Sequence, residues 1–257
     1  MMPRFQAVMF DWAGTTVDYG SRAPARVFIE IFHRRGIEIT EAEARGPMGL
    51  AKREHIATVA GLPRVTAMWQ EKYGSPAGDV EVDAMYDEFL PLQKETLANS
   101  SDVIPGIPEA VEECRRQGMK IGSTTGYTRE LMDVVAPIAA RNGYAPDAIV
   151  CSDDVSAGRP APWMNFRTAE LLGIYPMNAV LIVDDTAVGI TAGLNAGATT
   201  VAITQTGNSL GLSLDEVNDL SPADLTERLA AGEEQFREAG ARHLLRSVAD
   251  LPDLLNS

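Results

Sequence analysis

Apolar residues along the chain fall into two rhythms. Short apolar runs occur at 6–10 (QAVMF), 120–123 (KIGS), 148–152 (AIVCS), 179–183 (AVLIV) and 199–203 (TTVAI), with amphipathic stretches of helical period between them. Runs of this length suit strands covered on both faces, and their alternation with helices predicts a parallel sheet. Residues 23–100 break the alternation. There Val27, Phe28, Ile31 and Phe32 make one helical stripe, and 49–61, 63–74 and 82–99 read as further helices without a convincing strand. The pattern predicts an α/β fold, a doubly wound parallel sheet with a helical block inserted after its first strand. Such an insert would cap the carboxyl ends of the strands, where ligands bind in these sheets. Pro105 and Gly106 punctuate the return, and Pro108 suits the first turn of the next helix. Boundaries near 20 and 100 therefore divide the chain into a main domain, 1–20 and 101–257, and a helical cap domain, 21–100. The polar, glycine-containing stretch 204–217 has no role that its sequence assigns.

Composition narrows the function classes. With 257 residues, 45% hydrophobic and 23% charged, the chain has the balance of a globular enzyme or binding protein. A net charge of -14 disfavours nucleic acid and anionic membrane as partners, since both would be repelled. No apolar run is long enough to cross a membrane and the start lacks a signal-peptide pattern, so a cytoplasmic location is expected. Cys114 and Cys151 lack metal-ligand spacing and read as small buried apolar residues; His33, His55 and His243 form no metal motif.

Four fragments carry chemistry. Asp11 follows the first strand, where its carboxylate would project into the crevice and could attack phosphorus; the glycine and hydroxyls of Gly14, Thr15 and Thr16 come next. Ser123-Thr124-Thr125-Gly126 follows the second strand with hydroxyls and amides suited to phosphoryl oxygens. Arg159, in GRPAP, stands in a loop before a helix, where a guanidinium can neutralise phosphate. Asp184 and Asp185 end the fourth strand side by side, an arrangement that calls for a cation or hydrogen-bond donors, and magnesium suits such hard oxygens.

In that order the fragments resemble the haloacid dehalogenase superfamily of phosphoryl-transfer enzymes, with its Rossmann-like core and a cap after the first motif. The resemblance implies Asp11 as nucleophile, Thr125, Gly126 and Arg159 as phosphate ligands, and Mg2+ held by Asp11, Asp185 and the carbonyl of Ala13. Ala13 stands where the phosphatases of the superfamily carry a second acid to protonate an oxygen leaving group. A carbon leaving group would need an electron sink instead, such as the protonated imine of a lysine and an aldehyde. Only four lysines exist beside eighteen arginines, and one of them, Lys52, lies in the cap in MGLAK. DWAGTTVDYG, MGLAK, STTGYTRE and GRPAPWM together are similar to the motifs of the phosphonatase, or phosphonoacetaldehyde hydrolase, family. That likeness implies a Schiff base at Lys52, an aspartyl phosphate at Asp11, and a site lined by Met48, His55 and Tyr127. It implies His55 as proton relay and a homodimer joined through the caps. The apolar helix 27–32 could serve that contact, although the cap core is its simpler use. The chain departs from the usual family pattern at Asp184 and at Gly189, where a second acid is usual; Asp184 could supply the missing outer charge. A phosphatase of the same superfamily acting on a small phosphate ester is the alternative reading.

Overall fold

The computed structural model describes residues 5–257; residues 1–4, counted above in the segment 1–20, lie outside the described residues. The elements in order are β1 (Ala7–Phe10), α1 (Arg22–His33), α2 (Glu41–Arg45), α3 (Lys52–Ala60), α4 (Pro63–Tyr73), α5 (Asp79–Ala98), α6 (Ile107–Arg116), β2 (Lys120–Thr124), α7 (Arg129–Arg141), β3 (Ala148–Val150), α8 (Trp163–Leu172), β4 (Val180–Asp184), α9 (Ala187–Asn195), β5 (Thr199–Ile203), α10 (Leu214–Asn218), α11 (Pro222–Glu238), β6 (His243–Leu245) and α12 (Leu251–Leu255). All six strands run parallel in the order β3-β2-β1-β4-β5-β6. This is the doubly wound order in which chain direction reverses beside β1 and opens a ligand crevice at its carboxyl end. β6 is absent from the sequence prediction, because its three half-buried residues make too short an apolar signal.

Each sheet face is covered because strand side chains alternate. Val8 and Phe10 of β1 join one cluster with Ile121, Leu181, Val183, Val111 and Leu131, whereas Ala7 and Met9 join another with Ile182, Ala169 and Leu172. The helices α1 to α5 build their own cluster, including Val27, Phe28, Ile31, Phe32, Ile56, Val59, Trp69, Met85 and Phe89. The apolar stripe of α1 is thus used inside this block. Asp18 and Ser21 adopt left-handed backbone (φ 56° and 49°) where the chain turns out of the sheet into α1. Among the described residues no helix is long and apolar enough to cross a membrane.

Candidate active site

Three strand ends converge on one crevice. Asp11 follows β1 and its backbone N–H still donates to the Val183 carbonyl of β4 at 2.9 Å, so the ladder itself sets the Asp11 side chain beside the end of β4. Thr16 Oγ1 donates to the Asp11 carbonyl at 2.9 Å and holds the turn. Carboxylate oxygens of Asp11, Asp184 and Asp185 lie within 4.8 Å of one another, all buried. Arg159 enters from its loop and binds this group: Nη2 donates to Asp11 Oδ1 at 2.7 Å and lies 3.1 Å from Asp184 Oδ2. The same nitrogen donates to the Thr124 carbonyl and hydroxyl at 3.1 and 2.9 Å. Its Nη1 is buried without a partner, a donor that an anion in the crevice would satisfy.

The acids are held unequally. Asp185 accepts from Thr15 Oγ1 at 2.9 Å and from the Asn208 backbone N–H at 2.7 Å. Burial, then the charges of Asp11 and Asp184, push its carboxyl well above the usual range. Burial raises Asp184 to about 6, opposed by Arg159 and by the Thr186 donors. Three carboxylates around one guanidinium leave negative charge in excess within the cluster, and every donor is a hard oxygen. The set therefore fits a divalent cation. Asp184 is more central than an outer charge: its carboxyl fills the space that a β-carbon at Gly189 would occupy. The absent acid at 189 and the extra acid at 184 are thus two sides of one packing choice.

Opposite these acids stands Lys52, the first residue of α3, 4% exposed. The preceding loop lies directly on the main domain. A β-carbon at Gly126 would come 2.9 Å from the Leu50 carbonyl oxygen, and one at Gly49 (φ +96°) would come 2.6 Å from Thr186 Oγ1, so both glycines permit contact that side chains would block. Lys52 Nζ sits 4.8 Å from the Tyr127 ring centre and 5.6 Å from that of Phe28. Burial brings its ammonium down to about 8; the Asp11 charge raises it and that of Arg159 lowers it further. Lys52, Asp11, Ala13, Thr125, Gly126, Tyr127, Met48 and Arg159 line one cavity of about 20 Å3. That is room for about one water molecule. A larger cleft of about 530 Å3 adjoins it at Met48 and Thr186 and also touches Asp185, but it reaches neither Lys52 nor Asp11, the two residues that the smaller cavity brings together.

One expected placement differs. Met48 lines the cavity, from the turn before α3. His55 does not line it. Its ring stacks on Phe28 at 3.6 Å between centres, and its Nε2–H donates to the Ala44 carbonyl at 2.8 Å. Burial, with the Lys52 charge, lowers it to about 3, so the imidazole stays neutral and serves as packing behind Phe28. Phe28 and Asn208 carry no site signal in the sequence: Phe28 reads as core in a helical stripe, and a lone amide says nothing until folding places it.

The matching family over residues 5–197 is the haloacid dehalogenase-like hydrolases. Phosphonoacetaldehyde hydrolase of Paraburkholderia phytofirmans is 45% identical over 250 residues, 97% of this chain and 94% of that one. That of Paraburkholderia xenovorans is 46% identical with the same coverage. The crystal structure of a phosphonoacetaldehyde hydrolase-like protein from Oleispira antarctica superposes with a TM-score of 0.96 at 37% identity, covering 99% of this chain and 92% of that one. With its strand-end acids, its buried lysine and these likenesses, the chain belongs to the phosphonoacetaldehyde hydrolase family of the haloacid dehalogenase-like hydrolases.

Proposed function

We propose that this protein hydrolyses the carbon–phosphorus bond of phosphonoacetaldehyde to acetaldehyde and phosphate, and that Lys52 and Asp11 carry the two covalent steps. One observation carries the reading: a buried lysine amine and a strand-end aspartate share one small cavity in which residue 13, where an ester phosphatase needs its acid, is alanine. Lys52 Nζ, neutral once its proton is lost near pH 8, adds to the aldehyde, and loss of water from the adduct with uptake of one proton from solvent leaves a protonated imine. Asp11 then attacks phosphorus as the carbon–phosphorus electrons move into the iminium, giving an enamine on Lys52 and an aspartyl phosphate. Proton transfer to the enamine carbon restores an imine, which water hydrolyses to acetaldehyde; a second water releases phosphate from Asp11. Arg159 Nη1, Thr125 and the Gly126 backbone bind the phosphoryl oxygens. Asp11, Asp185 and the Ala13 carbonyl would hold Mg2+, which neutralises charge on the transferring phosphoryl group. Asp184 holds Arg159.

The cavity is too small for substrate as it stands. In this reading the helical block, 21–100, is a cap that opens to admit the aldehyde and closes to exclude water. Both free cysteines are buried, which suits a cytoplasmic enzyme. Family resemblance extends the proposal to a homodimer through the caps; light scattering across a concentration series tests it, and a monomer at every concentration rejects it. The chemistry is tested by adding borohydride with phosphonoacetaldehyde. Irreversible inactivation with the mass tag on the Lys52 peptide is expected. A tag on Lys72, Lys94 or Lys120, or none, overturns the imine.

A further inference from the structure

The stretch 204–217, to which the sequence assigns no role, meets the helical block at two arginines: Arg22, whose Nη1 pairs with the exposed Glu216 at 2.8 Å, and the more buried Arg45. Arg45 closes α2, and its side chain is 12% exposed. Nη1 donates to the Gly20 carbonyl at 2.9 Å and the Ser21 carbonyl at 3.3 Å, where the chain leaves the sheet for α1. It also donates to Asn208 Oδ1 at 3.2 Å, while Nη2 donates to the Gly211 carbonyl at 3.1 Å. Glu41 takes the Nε–H at 2.9 Å. One guanidinium thus joins the block to the segment that leaves the sheet and to the 204–213 loop that precedes α10. A β-carbon on Gly211 would lie 2.8 Å from Arg45 Cζ, so the bare glycine makes the seat.

Asn208 completes the connection. Its Nδ2 donates back to the Arg45 carbonyl at 3.2 Å, and its backbone N–H donates to Asp185 Oδ2 at 2.7 Å. Any movement of Arg45 out of its seat therefore pulls on the residue that orients a site carboxylate. The cleft of about 530 Å3 beside Arg45, Asn208 and Gly211 adds the second requirement of a reversible joint. Water there can solvate the guanidinium and the carbonyls once they part, so opening does not strand buried polar groups.

We infer that Arg45 is a positioning residue: a latch that holds the helical block closed over Asp11 and Lys52 and, through Asn208, sets Asp185 in the same event. This rests on the reading of the block as a cap that opens. The 204–213 loop is then the catch of that latch. Closure and alignment of the acid are one motion, because the same asparagine makes both contacts.

The test compares wild type with Arg45→Ala, Arg45→Lys and Asn208→Ala, using Arg34→Ala, which removes only an exposed pair with Glu30 on the same block, as control. Without substrate, trinitrobenzenesulfonate modifies lysines, and peptide mass spectrometry follows Lys52 against exposed Lys72. Losing charge-assisted hydrogen bonds should raise the Lys52 rate about ten- to a hundredfold in Arg45→Ala. Arg45→Lys and Asn208→Ala should raise it less, and Arg34→Ala should leave it unchanged. A purely structural Arg45 would lower the melting temperature without exposing Lys52 in the folded protein. Unchanged Lys52 labelling in folded Arg45→Ala overturns the latch. If that variant does not fold, unchanged labelling in both Arg45→Lys and Asn208→Ala overturns it equally. Because labelling needs no turnover, it separates this inference from the function: a wild type that forms no borohydride adduct would sink the imine and leave the latch result readable.

Discussion

Charge alone does not explain why an amine rather than a guanidinium faces Asp11. Arginine outnumbers lysine by eighteen to four, yet the buried position at the start of α3 is Lys52. Only an amine can become neutral and form an imine. Lys52→Arg should keep the fold by circular dichroism and lower phosphate release from phosphonoacetaldehyde by at least about a thousandfold. The pH response follows from the depressed ammonium. Below about 8 Lys52 holds its proton and is inert, so borohydride trapping should quicken as pH rises from 6.5 and level off above about 8. An exposed lysine would keep rising towards its ordinary value. At residue 189 the constraint is space. Gly189→Ala would drive a methyl group into the Asp184 carboxyl and should lower stability by about 1–3 kcal/mol in chemical denaturation. Pairing Gly189→Asp with Asp184→Gly should recover much of the loss that Gly189→Asp causes alone, since one carboxyl then occupies the shared space.

At the scale of elements, α3 delivers Lys52 while its His55 braces Phe28 from behind. Phe28 also stacks on Phe89 at 4.6 Å, tying α1 to α5. His55 must stay neutral in this stack. Its folded pKa, about 3, lies below the unfolded value of about 6.5, so between them the unfolded chain binds more protons. Stability is therefore lost as pH falls from about 6.5 towards 3. In His55→Phe, which stacks without titrating, the melting temperature should fall less steeply over that range than in wild type. The loop before α3 is legible only in part. Gly49 is visible as a glycine, but its contact with Thr186, 137 positions later by number, follows from folding.

For the whole molecule, a sheet with its acids at the carboxyl ends of its two central strands is joined to a helical block carrying the amine. Neither part alone encloses the 20 Å3 cavity, whose walls come from both. The buried acid cluster could hold a cation at the same end of the sheet. A chelator should lower both turnover and melting temperature, and Mg2+ should restore both, because a ligand that binds only the folded acids stabilises the fold by mass action. Thermal melts across a magnesium series check this, and a melting temperature indifferent to the metal would count against the acid cluster as its site.

Much of the architecture is local and therefore readable along the chain. Apolar runs of strand length, helical periodicity in 23–100 and polar residues directly after strands mark five of the six strands and Asp11, Thr125, Asp184 and Asp185, because covered strands must be apolar and must end before their chemistry begins. The amine in MGLAK and the alanine at 13 are equally plain. Tertiary structure decided the rest. Burial sets the acidity of Lys52 and silences His55, Asp184 takes the space left by Gly189, and Arg45 finds carbonyls and an amide from two distant segments. Each of these depends on desolvation or on contacts between residues far apart in the chain, and no periodicity in one segment encodes where another segment will come to rest.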